Sequence, residues 1–498
     1  MLASGSTYQV AVIPTTASSA TVTGTASLGG ATANAAFAGG SYISKVYTIL
    51  TAGNVSGTFG GLTNTSLPNN FSDTLSYDAA HAYLNLTLNF TPPPRPTAPT
   101  YTPLNTNQQN VANTLVNYFN TTGGIPTAFG TLGSTQLSQV DGEANTDADK
   151  GAFQLMSDFL NLMLDPSSGG GIGGGAGGGN GGALGFAPEQ DTTLPSEIAL
   201  AYSSMLTKAP PKPQSFDQRW TMWGSAFGGT SMTNGDPAVG SNNVTASDYG
   251  FAGGADYRIS RDTVLGFALA GGGTNWSLAQ NLGGGRSDAF QAGVYAKTHA
   301  GPAYISAALA FANNWFTTDR TSVLGDQLQA KFQGQSVGGR LEAGYRYGLP
   351  STNGLAGFTP YAAVQAQSFH TPSYSETDLT AGGFGLAFNA MNATDTRSEL
   401  GARADDLTML GSTPLILRGR VAWAHDWISN PALDAAFQTL PGTNFIVNGA
   451  APPKDSALTS VGAELRMTAN WSLLGKFDGE FGNGAQTYAG TGTLRYSW

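Results

Sequence analysis

Gly334-Gln335-Ser336-Val337-Gly338 fits G-x-S-x-G, the elbow that presents a nucleophilic serine in many hydrolases. That elbow needs a sharp turn from a strand into a helix. Here the five residues lie inside an alternating stretch with no helical pattern after it, so hydrolysis at Ser336 is not expected. The histidines are His81, His299, His370 and His425, and none has a His or Cys neighbour at metal-ligand spacing. His425 precedes Asp426 in "WAHDW", where the two could pair, although a place near a strand end facing water is the simpler reading. Cysteine is absent, which removes disulfides, thiolate metal sites and cysteine nucleophiles. The glycine run at 169–185 lacks the Lys-Ser/Thr ending and the preceding strand of a phosphate loop, and reads as a tether. No catalytic set, metal or cofactor is expected, and the chain is not read as an enzyme.

The richer set is charged: Arg340, Glu342, Arg346, Arg397, Glu399, Arg403, Arg418 and Arg420. These residues share one parity of alternating stretches. In 332–347, Val337, Leu341, Ala343, Tyr345 and Tyr347 oppose Ser336, Arg340, Glu342 and Arg346. In 247–259, Tyr249, Phe251 and Tyr257 oppose Asp248, Asp256 and Arg258. One greasy face and one polar face mark a strand between two environments.

About twelve such stretches follow one another: 219–229, 247–259, 263–276, 286–298, 303–316, 332–347, 358–369, 394–404, 414–427, 456–467, 471–481 and 487–498. Bacterial membrane barrels need an even number. Composition agrees. Charged residues are 11% of the chain, against roughly 25% in soluble domains. Mean hydropathy is only −0.12, as expected when each strand shows lipid half of its residues. No apolar run reaches the ~18 residues of a spanning helix, so any crossing must be a closed barrel. A net charge of −10 argues against nucleic acid as a partner. The charged parity must then face the lumen, where the eight residues line a wet pore, hold a plug, or bridge one another.

The joints carry independent information. Those at 260–262, 300–302 and 468–470 are tight; those at 230–246, 317–331, 370–393 and 428–455 are long. Short inner turns alternating with long outer loops are a barrel's signature. The chain closes on "GTGTLRYSW", with Leu494, Tyr496 and Trp498 on one face. A barrel's last strand pairs with its first, and its aromatic end belongs at the membrane interface.

Residues 1–90 hold short alternating runs such as "YQVAV" and "AYLNLTLNF", separated by turns. They read as stacked short strands, a sandwich or a β-helix, and no clean period decides between them. The proline-rich 91–103 is a break. Val111, Leu115 and Tyr118 then fall at helical spacing, ended by Gly123-Gly124, and "DKGAFQLMSDFLNLMLDP" makes a second apolar helix. A third spans about 194–207, with Thr193 able to cap it and Ile198, Tyr202, Met205 and Leu206 on one face. The start, MLASGSTYQV, lacks a basic region followed by an apolar core, so no secretory signal is visible. An exported chain of this kind would begin upstream or be a fragment.

"RWTMWGSAFGG", "YGFAGGADYRIS", "GRLEAGYRYG", "TRSELGAR", "LRGRVAWAHDW", "PGTNFIVNGA" and the final "GTGTLRYSW", in that order over about 215–498, resemble the translocator barrel of autotransporters, the type V secretion proteins of Gram-negative bacteria. "TGTASLGG", "YTILTAGNVSGTF" and "LSYDAAHAYLNLTLNF" are similar to the end of an autotransporter passenger. "LPSEIALAYSSML" sits where the family has its pore helix, with Pro195 at a usual glycine; the long tether is not a general family feature. The resemblance implies a mainly β fold. Residues 1–90 would end a right-handed parallel β-helix, and 91–214 would hold a linker, the tether and the pore helix. Residues 215–498 would be a monomeric barrel of about twelve antiparallel strands around that helix. It implies an outer-membrane protein that displays its N-terminal passenger at the cell surface. Its partners would be outer-membrane lipid, periplasmic chaperones and the barrel-assembly machinery, which reads Leu494, Tyr496 and Trp498. Some autotransporters cut themselves in the lumen, where Glu342 and Glu399 could assist, though nothing in their spacing requires it. The alternatives are an anchor for a surface hydrolase or for an adhesin. A plain porin would not need residues 1–214.

Overall fold

The computed structural model describes residues 1–90, 103–165, 219–349, 356–429 and 432–498. The expected tether and the 194–207 helix, with Ile198, Tyr202 and Met205, lie outside these residues.

Twelve long strands close into an antiparallel barrel: Trp220–Thr233, Val244–Arg258, Thr263–Leu278, Gly284–Ala300, Ala303–Thr321, Gln327–Tyr345, Ala356–Thr371, Met391–Leu410, Thr413–Ile428, Asp455–Arg466, Trp471–Gly482 and Ala485–Ser497. They are numbered here from first to twelfth. The first and last pair from Thr221↔Ser497 to Thr233↔Ala485, which removes every free edge. The outer face carries Phe251, Phe267, Val294, Leu309, Val337, Leu400 and Val461, all exposed to the surroundings. Such an apolar girdle is stable only against lipid. No helix among the described residues is long and apolar enough to cross a membrane.

The barrel's joints differ by end. At the turn end the links are tight except at 346–355; between the eighth and ninth strands two residues suffice, with Gly411 at φ 64°, where a side chain would be strained. At the loop end the strands run further than the sequence pattern suggested. The fifth and sixth strands reach Thr321 and Gln327 across a stretch expected to be loop. Alternation persists there, but the outer residues turn polar, Asp319 accepting a hydrogen bond from Gln329 at 2.8 Å. A search for lipid-facing apolar residues stops too early for that reason. Two of the remaining long joints, 370–393 and 428–455, also contain strands: Tyr374–Asp378, Leu386–Phe388, Ala432–Phe437 and Asn444–Asn448 form a small sheet above the wall. In the seventh strand Pro360 has no N–H to give, and the pairing with the sixth lapses opposite it, between Gly344↔Tyr361 and Tyr347↔Phe358.

Residues 1–90 form two parallel sets. Thr7–Ile13, Thr32–Phe37 and Gly61–Thr65 stack in register, and Ala20–Ser27 stacks on Val46–Ser56. An antiparallel hairpin, Phe71–Tyr77 with His81–Leu88, pairs with the latter and ends the stack. Helix α1, Thr106–Thr122, begins at Asn105, whose side chain accepts from Gln108 N while Gln108 Oε1 accepts from Asn105 N. It ends at Gly123, φ 80°. Val111, Leu115 and Phe119 are fully buried; Phe119, rather than Tyr118, completes the face. Two short helices follow, α2 Thr127–Gly130 and α3 Ser134–Val140, then a 3₁₀ neck, Glu143–Asp147, and α4, Ala148–Leu164.

The plugged lumen as candidate functional site

The helix inside the barrel is α4. It is the second apolar helix of the sequence; the expected pore helix at 194–207 lies outside the described residues. Four large side chains of α4 match a wall of small ones. Met156, Phe159, Leu160 and Met163 pack on Ala252, Ala268, Ala270, Ala308, Ala310 and Ala312. A Cβ on Gly338 would stand 2.9 Å from Met156 Cγ, and one on Gly293 2.7 Å from Met163 Sδ. The glycines are thus seats for the methionines.

Helix α4 leans on the second to seventh strands. Polar contacts fix its depth. Gln365 and Gln367 both donate to Ser157 Oγ at 2.9 Å, and Gln291 donates to Leu155 O at 3.2 Å. At its C-terminal end Lys297 Nζ donates to Asp165 O at 2.9 Å, a cation on the negative end of the helix dipole. Lys476 pairs with Asp165 at 3.4 Å. Sequence reading missed these glutamines and lysines, although they share the lumen parity, because it weighed arginines first.

The arginines lie on or beside the sixth, eighth and ninth strands, and their partners belong to the barrel. Arg340 meets Glu399 through two hydrogen bonds of 2.8 Å and Glu342 at 3.1 Å. Arg403 binds the other side of Glu342 at 2.5 and 2.9 Å and lies over the Tyr361 ring at 4.1 Å. Arg420 donates to Glu399 at 2.9 Å and to Tyr361 Oη at 2.7 Å. Arg397 spans Asp426 and Glu480; Arg418 reaches Glu464 and Arg346 reaches Asp405. Glu342 and Glu399 are therefore bound by guanidinium groups, which leaves neither poised as a general base. Between this wall and α4 lie two cavities of about 90 Å³ each, one at the turn end beside Asn161 and Arg418, one beside Ser157 and Glu480.

The other candidates fall outside this arrangement. Ser336 sits in mid-strand between Ala312 and Phe369. His425 pairs with Asp455 at 2.8 Å, whereas Asp426 pairs with Arg397. Neighbours on a strand point to opposite faces, so the His425–Asp426 bond that the sequence allowed, but did not favour, does not form. Among the described residues no three His, Cys, Asp or Glu are placed to hold a metal. Leu494, Tyr496 and Trp498 face outward, with Tyr496 stacked on Trp498 at 5.5 Å and tilted against Trp471 at 4.8 Å.

The neck that leads into α4 is stitched to the loop end. Trp276 Nε1 donates to Ala144 O at 3.1 Å, and Thr318 Oγ1 donates to Asn145 Oδ1 at 2.7 Å. Glu143 accepts from Asn242 N at 2.6 Å and from Asn242 Nδ2 at 2.5 Å. Burial nevertheless pushes its carboxyl up to about 7, with Asp147 adding and the Asn242 bonds and Lys150 opposing. The folded neck then holds a proton that the unfolded chain releases near its ordinary value of 4.5. This contribution to stability is full below that value and is lost as pH rises through about 7. Hydrogen exchange in 141–147, corrected for intrinsic rates, is expected to rise from pH 5 to pH 8, and Glu143→Gln to flatten the rise. An equal rise in the variant would refute this.

An extracellular serine protease of Serratia marcescens is 24% identical over 259 residues, which are 50% of this chain. The chain spans 24% of that relative's length. Among solved structures, the translocator domain of the autotransporter NalP from Neisseria meningitidis aligns with 60% of this chain and 93% of its own, at 12% identity and a TM-score of 0.45. The β domain of the Bordetella autotransporter BrkA aligns with 56% of this chain and all of its own, at 14% identity and a TM-score of 0.42. The autotransporter beta-domain family matches residues 222–478, just over half of the chain. The chain belongs to that family, and its barrel is an outer-membrane translocator.

Proposed function

We propose that the turn end of the barrel faces the periplasm and the loop end faces outside. Residues 1–90 then stand at the cell surface as the last rungs of a right-handed parallel β-helix. Residues 91–214 link passenger to barrel, residues 215–498 form the translocator, and α4 is the segment left in the pore when export ends. One observation carries this reading: α4 enters the lumen at the loop end, from the stack, and reaches the turn end at Asp165. A chain caught after its N-terminal part has crossed has that polarity. The parallel pairing of residues 7–65 and the antiparallel hairpin after it support the β-helix reading. The partners in this account are lipid, periplasmic chaperones and an assembly machinery that reads Leu494, Tyr496 and Trp498, with the barrel a monomer.

A second reading, an anchor for a surface hydrolase, draws on the name of the Serratia relative. Activity on intact cells would favour it over simple display. The main test is protease added outside intact cells that express the chain behind a native signal sequence. Residues 1–90 are expected to be accessible while a heat-modifiable barrel fragment survives. A fully protected chain, or one soluble in the periplasm, would sink the proposal.

A further inference from the structure

The small sheet above the barrel wall buries an apolar face that the lumen does not use. Phe384, Leu386, Phe388, Phe437 and Val447 are almost wholly buried, yet they belong to the same core as the N-terminal stack and α1, not to the core around α4. Phe129 of α2 lies between Phe384, at 4.8 Å between ring centres, and Phe437, at 5.0 Å. A polar rim surrounds this contact. Asn107 of α1 and Asn448 are joined by three hydrogen bonds, Asn107 Nδ2 to Asn448 O at 2.9 Å, and Asn448 N and Nδ2 to Asn107 Oδ1 at 3.0 and 3.1 Å. Asn110 donates to Ile446 O at 2.7 Å and Thr114 to Asn444 O at 2.9 Å. Helix α1 thus covers the edge of strand Asn444–Asn448, an edge that would otherwise invite another chain. The stack is joined in turn to these helices: Phe71 meets Phe119 edge-on at 5.6 Å, Asn70 donates to Leu132 O at 2.8 Å, and Tyr42–Ser44 pairs with Gly124–Pro126.

We propose that the outer hairpins are a docking receptor for this chain's own residues 1–140. The receptor holds the base of the passenger on the barrel mouth by a folded, non-covalent joint. Apolar centre, polar rim and covered edge are the anatomy of a specific interface, and here the complement is on the same polypeptide. The joint does not depend on an unbroken chain. This inference rests on the translocator reading, because it needs the loop end to be outside.

The test uses the full chain on cells, with a protease recognition sequence inserted within 91–102. After cleavage, residues 1–90 are expected to stay with the cells and to leave only on denaturation. Phe437→Ala, a change in the barrel alone, is expected to raise hydrogen exchange in α1 and α2 of the detergent-solubilised chain about tenfold or more, because it opens the contact that holds those helices on the hairpins. Heat-modifiable migration checks that the variant barrel has assembled. If it has not, the paired change Asn107→Ala and Asn110→Ala in α1 reads out the same joint. Prompt release of residues 1–90 from the unaltered chain, or variants whose α1 and α2 exchange as the parent's do, would overturn the proposal. An insertion that external protease cannot reach would instead count against the translocator reading itself.

Discussion

Glu399→Ala is expected to destabilise the barrel by about 3–5 kcal/mol, the usual result of removing one partner from a buried ion pair. Glu399 holds Arg340 and Arg420 at once, and the Arg340 side chain is 1% exposed. Without the carboxylate, Arg340 keeps Glu342, which Arg403 already engages, and a long bond of 3.4 Å to Gln365. Tyr304, Tyr361 and Ala363 pack on one side of the network, and the two cavities border it on the other, so water there offsets only part of the lost bonds. The measurement is the temperature at which the detergent-solubilised barrel shifts from its compact to its unfolded gel mobility. A clear fall in that midpoint is expected, with Glu399→Gln between parent and alanine variant because one acceptor remains. An unchanged midpoint would mean that the network is solvated and contributes little.

The second large effect concerns conduction. Replacing Met156, Phe159, Leu160 and Met163 together with asparagine removes the side chains that seat α4 on the alanine wall. The helix is held further by polar contacts at Ser157, Leu155 and Asp165 and, at the loop end, by Phe153 against Phe369 and by the stitched neck. A helix with its side chains is about 10 Å wide, so its departure opens a water-filled path through the barrel. Conductance in planar bilayers is expected to rise about tenfold over the parent, in which α4 fills the lumen beside the alanine wall. Parent and variant with equal conductance would show that α4 does not block the path.

The wall was legible in the sequence because lipid imposes a strict parity on it. Val337 and Leu341 against Ser336 and Arg340 could point only one way once a barrel was assumed. The loop-end hairpins were not legible, because their outward residues meet water and their inward ones meet another part of the chain. Phe384, Leu386 and Phe388 read as stray apolar residues in a loop until Phe129 supplies the other half of their core. The plug was visible as a helix but not as a plug. Its apolar face looks like any buried helix, and the signal lay in Gly293 and Gly338, which strand propensity alone counts as defects. The lumen arginines were found by parity. Their partners Asp426, Glu464 and Glu480 share that parity and were passed over because single carboxylates are common on any polar face.

The seam between the first and last strands sets the kinetics of the whole molecule. Thr221 and Ser497 meet across 276 residues, and closing a loop of that length costs about 5 kcal/mol of chain entropy before any contact at the seam returns it. A single pair cannot offset this; the run of backbone pairs from Ser497 to Ala485 must form nearly together. Closure is therefore cooperative and late, limited by the arrival of the final residues rather than by the strength of any one strand. A chain truncated by a few residues at its end loses the nucleus of that step, and its eleven other strands are left as an open ribbon with two adhesive edges.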